Sequence, residues 1–245
     1  MIYLLNLIYC ELLKLKKSYI MLLIIIGGVF STILMNLAVL VVSSEKQRSF
    51  ESYASNVEQL NFVIFYTILF SLISAYVFSR EFADKTSSIV YTYPMSKIKI
   101  FIGKLITICI LISLVYLVEF VSIYLGYYIL YHEHPEFTFV SNHIKFYLYS
   151  LFFQFLIIPI PILIGNLSRN IMLPVVYGAV GIVISGVHDS FVFGEYLPFS
   201  IPFNFIKKIY EPNLIDLNYS VISGICCFVI SMFICMYHYN KHDIA

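Results

Sequence analysis

Charge is scarce in this chain. Asp, Glu, Lys and Arg make up 12% of its 245 residues, about half the share of an ordinary soluble domain. Hydrophobic residues reach 60% and the mean hydropathy is +0.89, which leaves too little polar surface to cover a water-soluble globule. The same numbers exclude a disordered chain and, with a net charge of +1, a basic nucleic-acid binder. Cysteine is sparse too: Cys10, Cys109, Cys226, Cys227 and Cys235 are five, an odd number without metal spacing, all in or beside apolar runs. Neither a disulfide framework nor a zinc site fits that pattern. The cysteines read as small hydrophobes in helices. A phosphate-cradling loop is also missing. The one Gly-Lys pair, Gly103-Lys104, is followed by Leu105 and has Ile98 where the first glycine of that motif belongs, so the chain cannot bind ATP in that way. No Gly-x-Ser-x-Gly occurs. His132-Glu133-His134-Pro135-Glu136 fails as a zinc motif, because Glu136 stands where the second histidine belongs and Pro135 would break the helix. It reads as a polar outer loop.

What is present is apolar sequence in long runs. A hydrocarbon core of about 30 Å takes roughly 20 apolar residues as helix. Six stretches qualify: 19–42, 61–79, 100–130, 144–166 with Pro159 and Pro161 inside it, a short one at 172–187, and 219–239. The first is too long for a signal-peptide core and reads as a retained span. With the N-terminus inside, the inner segments hold Lys14, Lys16, Lys17, Arg80, Lys85, Lys97, Lys99, Lys104, Arg169 and Lys241. The outer segments hold Lys46, Arg48, Lys145, Lys207 and Lys208. Lysine and arginine favour the cytoplasmic side, so ten against five puts both termini in the cytoplasm.

Three further stretches draw attention. Residues 1–17 have Leu4, Leu5, Ile8, Leu12 and Leu15 at helical spacing, with Asn6, Glu11, Lys14 and Lys17 between them. They fit an amphipathic helix in the membrane interface, or an extension of the first span. The inner connection 80–99 begins with a possible helix, with Glu81 and Lys85 in the favourable i, i+4 order. Pro94 stops that helix, and Ser96, Lys97 and Lys99 follow. This is more than a turn needs, and it suits a helix on the cytoplasmic face that docks another protein; the alternative is an ordinary basic loop. The outer connection 189–217 is too apolar for a free loop and too broken by Pro198, Pro202 and Pro212 for a span. A re-entrant segment fits, tolerated where protein buries its backbone. Phe199, Pro202 and Phe203 are then candidates for an outer gate, or for an interfacial anchor.

Glu119 is expected to be the one carboxylate well inside a span. A charge there faces a cavity or a partner, and a cationic substrate contact, a helix lock and a protonated neutral group all remain open. With a single such group, an intramembrane enzyme has little support. The prolines at 159 and 161 fit a hinge or a structural bend.

The pattern FSREFADKT followed by YTYPMSKIKIFIGKL resembles the coupling segment of permease subunits in the type-2 ABC exporter class. Arg80, Glu81, Thr86, Pro94, Gly103 and Lys104 match that pattern, with Asp84 and Lys85 inside it. ELLKLKKSYIMLL is similar to the connecting helix that leads into the first span. The small size, without a large outer domain, is most similar to the bacitracin-resistance and lantibiotic-immunity branch. The resemblance implies one all-α transmembrane domain over 1–245 in a bacterial cell membrane. It has six transmembrane helices, an interfacial helix at 1–17, a cytoplasmic coupling helix within 80–99 and a re-entrant outer segment at 189–217. It further implies pairing with a second copy or a related permease, and two ATPase subunits that bind ATP and magnesium, with no cofactor in this chain. The implied cargo is a membrane-active amphiphilic peptide antibiotic moved out of the bilayer. Sodium ions, secreted amphipathic peptides or lipid are alternative cargoes, and a secondary transporter or a membrane scaffold is a further reading.

Overall fold

The architecture follows from the scarcity of polar side chains: nearly every backbone group must be satisfied within its own segment, and helices are the result. A computed structural model describes residues 2–16, 18–42, 49–83, 96–187, 194, 197–210 and 217–241. Among these the regular elements are all helical. They are α1 (Ile2–Lys16), α2 (Ile20–Val42), α3 (Phe50–Leu60), a π turn (Asn61–Phe65), α4 (Tyr66–Ala83), α5 (Lys97–Tyr131), α6 (Phe137–Ile157), α7 (Pro159–Ser168), α8 (Met172–Val187), α9 (Ile201–Tyr210) and α10 (Leu217–Lys241).

Among the described residues five helical stretches are long and apolar enough to cross a membrane: Ile20–Val41, Phe50–Arg80, Lys97–Tyr131, Phe137–Ser168 and Leu217–His238. The chain is a multi-pass membrane protein. The short run forms α8, 16 residues long, about 24 Å at 1.5 Å per residue.

The second span starts earlier than its hydropathy suggests. Ser49 caps α3 through its hydroxyl, which accepts from the Ser52 N–H at 3.3 Å, and α3 runs straight through the π turn into α4. The sequence expectation placed this start at Asn61 because Glu51, Ser52, Ser55, Asn56, Glu58 and Gln59 dilute the apolar residues. In the fold, Phe50, Tyr53, Ala54 and Val57 form one buried face. The fourth span likewise begins at Phe137 and breaks at Ile158, where Pro159 starts α7. Proline supplies no N–H to continue the ladder.

α5 is the central post. α1 and α2 pack along it, and α4 packs against α7 and α8. α9 lies against α6 and also reaches α3 and α10. α2 approaches α5 at Gly28, where an added Cβ would stand 2.7 Å from Val118 Cγ1 and 3.0 Å from the Glu119 nitrogen. Small residues let membrane helices approach backbone to backbone. α1 is a separate helix ahead of the first span. Its buried side carries Ile8, Glu11 and Leu15, and Leu5 is exposed, so the face toward the protein includes a carboxylate, which Lys14 pairs at 2.7 Å.

Candidate functional site

Glu119 sits midway along α5 and is completely buried. Three donors converge on its carboxylate: the Asn61 side-chain amide on Oε1, and the Tyr66 and Tyr147 hydroxyls on Oε2. The π turn makes this possible. In an α-helix, residues five apart point about 140° away from each other. Here the Tyr66 N–H bonds back to the Asn61 carbonyl, an i to i+5 closure, which brings both side chains to the same carboxylate. π turns recur at functional positions in other proteins. Aromatic rings wall the cluster: Tyr116 stacks on Tyr66 at 5.5 Å and meets Tyr147 edge-on at 5.2 Å. One turn along α5, the Ser122 hydroxyl is 2.9 Å from Thr32 Oγ1 and 2.9 Å from the Gly28 carbonyl, which ties α2 to the same level.

A second polar layer lies one turn away, toward α9. Glu58 precedes Asn61 by three residues and His143 precedes Tyr147 by four, so each lies on the face of its helix that carries a Glu119 partner. Glu58 Oε1 is 2.5 Å from His143 Nε2, and Glu58 Oε2 accepts from the Tyr210 hydroxyl at 2.7 Å. His143 Nδ1 is 2.9 Å from the Tyr124 hydroxyl. Glu58 and His143 are both fully buried. Four helices therefore meet in this layer: α3, α5, α6 and α9. The expectation of a single carboxylate inside the spans needs correction. The second span begins at Phe50 rather than Asn61, and Glu58 falls within it.

The remaining expected site residues lie elsewhere. Arg80 is in the last turns of α4, with its guanidinium carbon 5.1 Å above the Tyr76 ring, about 20 Å along α4 from Tyr66 at 1.5 Å per residue. The backbone at Glu81 continues α4; its side chain, together with Asp84, Lys85, Thr86 and Pro94, lies outside the described residues. Gly103 leaves room for Leu7 of α1, whose Cδ2 would be 2.2 Å from an added Cβ. Lys104 is buried with its ammonium 5.5 Å from the Phe78 ring centre. In the segment expected to be outer, Phe203 is buried and stacks on Phe62 at 6.0 Å. Phe199 meets Tyr177 at 4.7 Å and lies against Gly181. Pro202 lines a void of about 30 Å³ beside Tyr66 and Tyr177. The gate candidates and the Glu119 layer thus share the Phe62–Tyr66 wall.

Among the described residues no group of three His, Cys, Asp or Glu is placed to hold a metal ion. Two apolar clefts open on the flanks of α5. One of about 320 Å³ lies between α5 and α6, lined by Leu117, Phe120, Leu148 and Leu151 and reaching Tyr116 and Tyr147. The other, of about 350 Å³, lies between α2 and α5 around Ile33, Val121 and Leu125. Sequence reasoning found Glu119 and missed Glu58, Asn61, His143 and the tyrosines that join them.

Residues 7–185, well over half of the chain, match the family described as ABC-2 family transporter protein. No curated protein matches the chain.

Proposed function

The chain belongs to the ABC-2 family of transporter proteins, and from that premise we propose that it is the permease half-unit of an exporter for amphiphilic, membrane-active peptides of the lantibiotic or bacitracin type. It is a membrane permease component and carries no ATPase domain of its own; permeases of this family generally pair with separate ATPase subunits. The cleft between α5 and α6 carries the cargo reading. Its walls are apolar and open at the surface, while its floor reaches Tyr147, whose hydroxyl is bonded to Glu119. An amphiphile entering from the bilayer would find an almost wholly apolar wall for its hydrocarbon parts.

The segment 80–99 is the contact for the ATPase in this proposal. Glu81 continues α4, the helix whose other end carries Tyr66, so a push at the coupling end travels along one rigid rod to the Glu119 layer. ATP binding by the partner then biases two packings of the spans. Two permeases and two ATPase subunits complete the exporter, with both termini of this chain in the cytoplasm. Phe199, Pro202 and Phe203 close the outer side until that bias shifts.

The test is reconstitution with the partner ATPase in liposomes, with ATP hydrolysis followed as a lantibiotic or bacitracin is added. The proposal expects saturable stimulation that Leu117→Trp or Leu148→Trp, each filling the cleft, abolishes. Hydrolysis that ignores both peptides but responds to sodium ions or to lipid would assign a different cargo.

A further inference from the structure

The break between α6 and α7 changes what one wall of the bundle needs. Pro161 has no N–H to return to the Ile157 carbonyl four residues before it, so that carbonyl has to find a donor elsewhere. Both residues line the void of about 30 Å³ that also touches Pro202 and Tyr66. α4 brings Thr67 and Ser71 to the same void, four residues apart and so on one face. α6 adds Gln154, three residues before Ile157. Tyr177 comes from α8, and its hydroxyl is buried without a hydrogen-bond partner in the protein. The next residue, Gly178, holds α8 close to α4 there: an added Cβ would stand 3.0 Å from Ser71 Oγ.

These groups have hydrogen-bonding capacity left over. The Thr67 hydroxyl donates to the Ile64 carbonyl at 3.1 Å and the Ser71 hydroxyl to the Thr67 carbonyl at 2.7 Å, which leaves both oxygens able to accept. Gln154 carries an amide that donates and accepts, and the Tyr177 hydroxyl can do the same. A buried water molecule makes about three hydrogen bonds and needs about 10–15 Å³, so the void has room for one or two. A hydrocarbon chain in its place would leave the same polar groups buried and unpaired, at a cost. None of the described lining residues is charged, so no counter-charge on this wall offsets the desolvation of an ion. Water is the ligand that fits both the size and the chemistry.

We propose that this void is a hydration site inside the bundle, where one or two bound water molecules join the Tyr177 hydroxyl of α8 to the Gln154 amide and the freed Ile157 carbonyl at the α6–α7 break. Ordered water re-satisfies backbone groups released by proline in membrane helices, and here the same water satisfies Tyr177. Three helices that make no direct polar contact at this point are thereby bridged. Phe199 and Pro202 lie against the same void, so the gate candidates close over a wet pocket rather than an apolar one. The inference rests on the void alone and does not depend on the cargo or on the ATPase.

The test uses the purified chain in detergent micelles. Brief X-ray radiolysis in water labelled with heavy oxygen marks side chains that touch water, including water held inside a protein. Phe62 and Phe70 line the void and are otherwise buried, and they are expected to take up the label. Phe78 and Phe101, equally buried but away from this void, serve as the unlabelled reference. Stability supplies a second readout whose sign differs between the two cases. If water satisfies the Tyr177 hydroxyl, Tyr177→Phe loses a hydrogen bond and lowers the SDS unfolding midpoint; if the hydroxyl is dry, the same change removes an orphaned polar group and raises it. Gln154→Met should likewise lower the midpoint and reduce the label on Phe62 and Phe70. Label on those two no greater than on the reference pair, or a raised midpoint in Tyr177→Phe, overturns the proposal. A native midpoint that rises in sodium chloride over choline chloride, with the rise lost in Gln154→Met, would overturn it too, by giving the void to a cation.

Discussion

Replacing Glu119 separates two uses of a buried carboxylate. In Glu119→Ala the Asn61 amide and the Tyr66 and Tyr147 hydroxyls lose their shared acceptor deep in the bundle. Each orphaned buried donor costs about 1–3 kcal/mol, so three together cost about 3–9 kcal/mol before any relaxation. Glu119→Gln is different for a reason visible in the geometry. Asn61 Oδ1 is buried without a partner. If the Asn61 amide turns over, that oxygen accepts from the new glutamine NH₂, while the glutamine carbonyl retains both tyrosines. The acceptor set is kept, so the net change should stay within about 1.5 kcal/mol. The assay is SDS-induced unfolding of the purified chain in mild detergent, followed by helical circular dichroism. Equal and large destabilisation by Ala and Gln would refute the reasoning, since it would mean that the carboxyl itself, and not the acceptor set, holds the helices. A stable Glu119→Gln chain that no longer supports peptide-stimulated ATP hydrolysis would assign the carboxyl to transport.

Other outcomes follow from single contacts. Gly178→Ala places a Cβ 2.6 Å from the Thr67 carbonyl oxygen and 2.9 Å from Ile68 Cα, backbone that cannot swing aside, and should cost about 1–3 kcal/mol by forcing α4 and α8 apart. Gly186→Ala, with nothing within 4 Å, is the control, and SDS unfolding compares the two. Tyr53→Phe removes the 2.6 Å hydrogen bond to Asn36 and should lower stability by about 1 kcal/mol in the same assay. Phe203→Ala empties the space against Phe62 and should cost about 3–5 kcal/mol, with the loss of hydrogen-exchange protection concentrated in α9 and the Phe62 region.

Much of the frame was legible because apolar length is a strong signal. The run at 100–130 anticipated α5 within a few residues, and Pro159 marked the break between α6 and α7. The N-terminal limit of the second span was not legible. Hydropathy averages over all faces of a helix, and α3 buries Tyr53 and Val57 on one side while exposing Glu51 and Ser52 on the other. That offset also hid Glu58, which reads as outer-loop polarity until the helix is known to extend past it. Glu119 could be singled out because a carboxylate inside an apolar run needs a partner. Its partners could not: Asn61 and Tyr66 share a face only through the π turn, and an alternation of 3.6 residues separates them. Glu58 and Asn61 stand three apart and His143 and Tyr147 four, both local cues to a common face, but nothing local says that the two helices and Tyr210 come together. In the segment 189–217, the aromatics suited an interface in the sequence, and the fold turns Phe203 and Phe205 inward against α3–α4 and α6 instead.

The account rests on a permease worked from outside by a separate ATPase through the segment after α4. The most direct measurement is co-purification of the two proteins in detergent, comparing the native chain with Glu81→Ala and following ATP hydrolysis by the eluted complex. The account predicts that the ATPase elutes with the native chain, and that Glu81→Ala either loses it or retains it with hydrolysis no longer coupled to peptide. Absence of the ATPase from both eluates, with both chains folded, would contradict it.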